Sequence, residues 1–296
     1  MMRNSRMLFV PIALLLAAVA VLTGCVGSGG GARFYFVQIT DSHFGSGDND
    51  ARMQQTVDAI NALPMKIEFV VHTGDITADN ILNERVVATA TSTLARIRVP
   101  VHWLPGNHDI LAKNPGPTLS VYTNAFGPLC SRFENNGVVF LLLDTEPLRK
   151  PIRIEGYDPM SWLSSALKEA GGKPVVICHH TPPVDDFYGN RMHPGWNKDA
   201  RERWQRLLNS ANVKAVLAGH FHRDELHWLG DVPLYVASSV ADYWGRQGSF
   251  RIYEYDNGRL SYRTQYLEPD QSENDRPAST RSRSSTKAGE PPPLEP

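Results

Sequence analysis

The feature that most constrains how this chain can fold is an alternation. From residue 33 onward, short apolar runs rich in β-branched and aromatic residues alternate with segments of helical periodicity. Candidate strands occupy 33–40, 67–72, 99–104, 138–144, 174–178 and 213–218. Between them, Met53, Val57 and Ile60 form one apolar stripe, and Leu82, Val86, Ala90, Thr93 and Ile97 form another. A third helix is expected over 159–170, with Asp158 as its cap, Pro159 in its first position and Gly171-Gly172 at its end. A fourth, over 200–209, carries Trp204, Leu207 and Leu208. Strands that alternate with helices build βαβ units around a largely buried sheet. Three further runs, 233–237, 249–255 and 260–266, follow without helices and read as antiparallel, with Asp256-Asn257-Gly258 as a hairpin turn.

Composition sets the outer limits. A chain of 296 residues with 42% hydrophobic content can bury a sizeable core. Its 30 Lys and Arg against 31 Asp and Glu leave no positive surplus, so no nucleic-acid partner is expected. Cys25, Cys130 and Cys178 are too few for a disulfide framework. At the N-terminus, Arg3 and Arg6 precede an apolar run over 7–22 that contains Pro11, the layout of an export signal. That run is shorter than the about 20 residues a spanning helix needs. Leu22-Thr23-Gly24-Cys25 resembles the bacterial lipoprotein signal, which implies removal of 1–24 and lipidation of Cys25. An uncleaved anchor or an ordinary secretory signal are the alternatives.

In 25–32, the Cys and a Gly/Ser tether, the seven residues after Cys25 would reach at most about 25 Å. The folded domain is expected over 33–267, followed by a disordered tail over 268–296 with one aliphatic residue, Leu294. The expected location is the cell envelope, membrane-anchored and facing the periplasm or cell exterior. The oligomeric state is not legible.

Polar residues gather where the candidate strands end. Asp41-Ser42-His43 follows the first, Gly74-Asp75 the second, Gly106-Asn107-His108-Asp109 the third, His179-His180 the fifth and Gly219-His220-Phe221-His222 the sixth. In open α/β sheets, ligands bind outside the carboxyl ends of strands. Imidazole, carboxylate and amide oxygens without a thiol are ligands for first-row metal ions, so a mixed nitrogen and oxygen site is expected.

The ordered set Asp-x-His, Gly-Asp, Gly-Asn-His-Asp, His, Gly-His-x-His closely resembles the calcineurin-like metallophosphoesterase superfamily. It spans Asp41 to His222, the whole probable core. The resemblance implies a four-layer αββα sandwich, an α/β fold of two mixed sheets flanked by helices. It also implies two metal ions (Fe, Mn, Zn or Co), with Asp41, His43, Asp75 and His222 holding the first. Asp75, Asn107, His179 and His220 would hold the second, so that Asp75 bridges. Such a pair about 3.5–4 Å apart clamps a phosphate and makes a bridging hydroxide for in-line attack. His108 is assigned to stabilising the transition state or protonating the leaving oxygen, with Asp109 orienting it. His180 is the fallback ligand and otherwise a substrate contact. His72, His102, His193 and His227 read as structural.

Branches within the family differ in their extensions. Gly74-Asp75-Ile76-Thr77-Ala78 lacks the tyrosine ligand of purple acid phosphatases, and Ala78-Asp79-Asn80 lacks the Asp-Arg-Gly of protein Ser/Thr phosphatases. What remains resembles the bacterial small phosphodiesterases and phosphatases, acting on nucleotide-like or glycerophosphodiester substrates. The segment 181–197 is expected to wall the substrate cleft, with Phe187, Tyr188 or Trp196 stacking on a base and Arg191 contacting phosphate. Competing readings are a non-catalytic envelope binding lipoprotein on the same scaffold and a metal-scavenging lipoprotein.

Overall fold

The computed structural model describes residues 33–150, 152–189, 195–241 and 246–268. The expected signal peptide, Cys25, the tether, Arg191 and His193, and nearly all of the tail lie outside them. In chain order the elements are β1 (Arg33–Ile39), α1 (Asn49–Asn61), β2 (Ile67–Thr73), α2 (Glu84–Leu94), β3 (Val101–Leu104), α3 (Pro115–Ala125), β4 (Cys130–Asn135) and β5 (Val138–Leu143). There follow α4 (Pro159–Glu169), β6 (Val175–Cys178), α5 (Lys198–Asn209), β7 (Val213–Ala218), β8 (Glu225–Leu229), β9 (Val232–Val236), β10 (Ser249–Asp256) and β11 (Arg259–Tyr266).

These strands form two mixed sheets, ordered β11-β10-β1-β2-β3 and β4-β5-β6-β7-β9-β8. In the first, β1, β2 and β3 run parallel, while β10 and β11 are antiparallel additions joined by the Asp256-Asn257-Gly258-Arg259 turn. Asn257 and Gly258 both have positive φ there, as a two-residue turn of the primed type requires. In the second, β5, β6, β7 and β9 are parallel, with β4 and β8 antiparallel at the edges.

Period-2 alternation along each strand sorts side chains into separate cores. Phe34, Phe36, Phe69, Phe140, Val176, Cys178, Leu217 and Tyr253 face inward between the sheets. Val37, Val70 and Ile252 turn outward onto the helices that cover the first sheet, with Met53, Val57, Leu94 and Tyr122. Val139, Ile177 and Val216 pack with Leu163, Trp204 and Leu208 on the far face of the second. The result is the four-layer αββα sandwich. Asp158 caps α4 by accepting the Ser161 N–H at 2.6 Å.

Three elements had no sequence expectation. The helix α3 buries only Thr118 and Tyr122, so it shows no apolar stripe. The strands β4 and β8 are edges without a buried run: β4 buries no residue and β8 only Leu229. Among the described residues, no helix is long and apolar enough to cross a membrane.

Candidate metal centre

The carboxyl ends of β1, β2, β3, β6 and β7 converge, and their loops are tied to one another through the main chain. The Asp41 N–H donates to the Gly74 carbonyl at 3.0 Å, the His43 N–H to the Asp75 carbonyl at 3.0 Å and the Gly219 N–H to the His180 carbonyl at 3.0 Å. Asp41, His43, Asp75, His220 and His222 have φ between 45° and 72°. Asp, Asn and His enter this left-handed region more readily than other side chains, at a cost on the order of 1 kcal/mol each. The backbone turns sharply at each, and these same side chains meet in one space.

Two clusters of potential metal-ligating atoms result, both buried: Asp41, His43, Asp75 and His222, and Asp75, His180 and His220. Asp75 belongs to both. Its Oδ1 accepts the His108 N–H at 2.8 Å. Its Oδ2 lies 3.7 Å from His43 Nε2 and 3.1 Å from His180 Nε2. In the first cluster, His222 Nε2 is 3.1 Å from Asp41 Oδ1 and 3.3 Å from His43 Nε2. The other Asp41 oxygen accepts from the Thr40 hydroxyl at 2.7 Å and the His220 N–H at 3.0 Å.

The charge balance fits cations. Burial pushes the Asp41 carboxyl up, but His222 and His180 outweigh it and bring it down to about 2. Burial opposes ionisation of Asp75 too, yet His180, His108 and His43 hold it well below the ordinary range. His180, although buried, is pushed up to about 10 by Asp75 and Asp41. Two buried carboxylates thus call for positive charge at their shared edge, which a proton on His180 or a metal ion can supply. Burial takes His43 down to about 3, leaving its ring neutral, as a ligand must be. Asn107 Oδ1 is buried with no hydrogen-bond partner among the described residues, as befits a carbonyl oxygen kept for a cation.

The geometry corrects two assignments. His180, not His179, enters the second cluster. The alternation of β6 sends Val176 and Cys178 between the sheets and Val175 and Ile177 toward the helices. His180 therefore continues the inner face, with Nδ1 2.8 Å from the Thr73 carbonyl and Nε2 turned to Asp75. His179 leaves on the outer face, where its ring packs 5.5 Å from Trp196 and 5.2 Å from Trp204. The second correction concerns Asp109, which does not orient His108. Its carboxylate accepts from the Ile76, Thr77 and Gly106 N–H groups and the Thr77 hydroxyl, so it braces the loops after β2 and β3. The partner of His108 is Asp79, whose Oδ1 lies 2.9 Å from His108 Nδ1. Asp79 also has positive φ and stands four residues after Asp75, a spacing that was the available signal. Trp196, 2% exposed, is a core residue and not a wall of the cleft.

Of the other histidines, His72 is buried with Nε2 2.9 Å from the Ser42 hydroxyl, His102 stacks on Phe133, and His227 pairs with Glu225. Cys178 is fully buried and its thiol is pushed up by burial.

A pair of buried His/Asp clusters sharing one carboxylate, at the strand ends of a double-sheet sandwich, defines a two-metal hydrolase. The calcineurin-like phosphoesterase model matches residues 34–224, and the chain belongs to that family. The 3′,5′-cyclic adenosine monophosphate phosphodiesterase CpdA of Escherichia coli K12 is 26% identical over 211 residues, covering 68% of this chain and 74% of that protein. The serine/threonine-protein phosphatase CPPED1 of Homo sapiens is 25% identical over 247 residues, covering 72% and 77%. A dimetal phosphatase from Danio rerio shares the fold, with a TM-score of 0.55 at 16% identity over 79% of this chain and 99% of that one. The missing Asp-Arg-Gly thus does not separate this chain from every protein named as a Ser/Thr phosphatase.

Proposed function

We propose that this hydrolase cleaves phosphodiesters or phosphomonoesters of small alcohols, nucleotide-like or glycerol-based, and works exported and lipid-anchored through Cys25. The observation that carries the reaction is the sharing of Asp75 by two clusters, with a half-exposed imidazole beside them. Asp41, His43, Asp75 and His222 would hold one cation and Asp75, His180 and His220 another, which would supply Lewis acidity toward a phosphoryl group and acidify a water at neutral pH.

The chain's own residues do the rest. Asp41 and Asp75 stay ionised through their histidine neighbours and bring negative charge to the ions. Asn107 can add a neutral oxygen. The His108 side chain is 38% exposed, with Nε2 3.9 Å from Asp75 Oδ2 and Nδ1 held by Asp79. Burial would lower its pKa, but Asp75 and Asp79 outweigh burial and raise it. The charged ring is therefore more favoured than in an unperturbed histidine, and its Nε2 faces the centre, where an Nε2–H can donate to a phosphoryl or leaving oxygen. Asp109 keeps the Gly74–Thr77 and Gly106–His108 backbones in register with the centre.

The test is turnover of bis(p-nitrophenyl) phosphate and p-nitrophenyl phosphate by the metal-loaded chain across Mn, Zn, Fe and Co. Preference for the first marks a phosphodiesterase and for the second a phosphatase. Two bound metals without turnover of these or of nucleotide and glycerol phosphoesters would overturn the reading. Anchoring is supported by Leu22-Thr23-Gly24-Cys25 and tested by palmitate labelling in a bacterial host. Label and membrane recovery should be present in the natural chain and absent in Cys25→Ser; an unlabelled natural chain would refute anchoring.

A further inference from the structure

The turn after the second cluster carries an unusual combination: a strongly exposed aromatic on a firmly held backbone. Phe187 is 80% exposed, and its ring meets Tyr188 edge-on at 5.2 Å. Asp186, buried, fixes the turn from both sides. Its Oδ1 accepts the Tyr188 N–H at 3.0 Å, and its Oδ2 accepts from Arg223 Nη2 at 3.1 Å. Arg223 also donates to Glu225 at 3.0 Å and lies 4.6 Å over the Tyr188 ring.

Position in the chain ties this turn to both halves of the centre. His180, of the second cluster, precedes Phe187 by seven residues, and Arg223 directly follows His222, of the first. Arg246 donates to the His222 carbonyl at 3.3 Å, and the charges of Arg223 and Glu225 reach it. Arg246 and an aromatic pair pinned by Arg223, whose charge Asp186 and Glu225 offset, thus adjoin the His222 loop of the first cluster. A phosphoester with a flat ring matches the exposed aromatic face.

We propose that Phe187 and Tyr188 form a fixed stacking platform for the base of a nucleotide phosphoester, with Arg223 and Asp186 as positioning residues that hold it beside the metal centre. The proposal rests on the phosphoesterase reading of that centre. A platform ordered before substrate arrives saves the entropy of fixing it on binding, and base-on-aromatic stacking is tolerant of base identity. The preference is therefore for nucleotides over base-free esters rather than for one base.

The metal-loaded full chain and its Phe187→Leu and Phe187→Trp variants are compared on 3′,5′-cyclic AMP and on glycerophosphocholine, a diester without a base. In Phe187→Leu, the ratio of kcat/KM for the nucleotide to that for the base-free diester should fall about tenfold, chiefly through KM. Phe187→Trp should restore it, because a ring and not mere apolar bulk is required. An unchanged ratio in Phe187→Leu, or equal behaviour of Leu and Trp, would overturn the platform. So would turnover of glycerophosphocholine by a chain that neither cleaves nor binds nucleotides, with the phosphoesterase reading left standing. If no phosphoester is turned over, calorimetric titration with AMP decides: weaker binding in Phe187→Leu supports the platform, and equal or absent binding in both overturns it.

Discussion

His179 and His180 differ by one position and by the face of β6 that each continues. Replacing His180 by Ala should lower bound metal from two ions per chain toward one and abolish most turnover, as elemental analysis and kinetics would show. His179→Ala should keep its metal but melt earlier, losing roughly 2 kcal/mol as a buried ring is removed from between two tryptophans. The motif types were legible in the sequence because Asp, Asn and His after successive strands have few joint uses. The choice between adjacent histidines lay in strand parity, which Val176 and Cys178 already carried. Asp109 was misread because adjacency suggested contact, whereas the chain turns between it and His108. Asp79→Asn should therefore do what a change at Asp109 was expected to do. By removing the Asp79 charge it lowers the pKa of His108, so the alkaline limb of kcat should move to lower pH and kcat should fall about 10- to 100-fold. An unshifted pH profile would show that the pair does not act together.

At the scale of elements, the loops after β3 and β7 leave no room for side chains at their glycines. A Cβ on Gly106 would overlap the Asp75 carboxylate and main-chain nitrogen, and one on Gly219 would overlap the Thr40 hydroxyl and Asp41. Gly106→Ala should thus lose metal binding by displacing the shared carboxylate, measured as metal content of the purified variant. Asp158→Ala, which removes the α4 cap, should cost about 1 kcal/mol in chemical denaturation and leave metal content unchanged. Helices α1, α2 and α5 were legible from apolar residues at helical spacing, and α4 from its Asp158 cap, Pro159 and closing glycines. The helix α3 was not, because Pro115, Gly116 and Pro117 begin it and it buries only Thr118 and Tyr122. Edge strands β4 and β8 escaped for a related reason, since with one neighbour each they need no continuous apolar run.

Across the whole molecule, Asp144 sits at the end of β5 with Oδ1 accepting the Glu146 N–H, and with Oδ2 buried and unpartnered among the described residues. Burial, aided by the Glu146 charge, lifts its pKa from 3.8 to about 7. The folded state then holds this proton more tightly than the unfolded one, so stability falls as pH rises through that interval and levels off above it. Relative to Asp144→Asn, the natural chain should lose melting temperature between pH 4.5 and 7; a constant difference would place the ionised form in the fold.

The clusters themselves are built across the sandwich. Asp41, His43 and Asp75 follow strands of the five-stranded sheet, while His180, His220 and His222 follow strands of the six-stranded one, and each cluster draws on both. An ion held in either cluster would take ligands from both sheets and so rivet one to the other. The complete ligand set therefore forms only once the halves have closed. The cations abundant where that closure happens would then share with the ligand set in deciding which metal the enzyme carries.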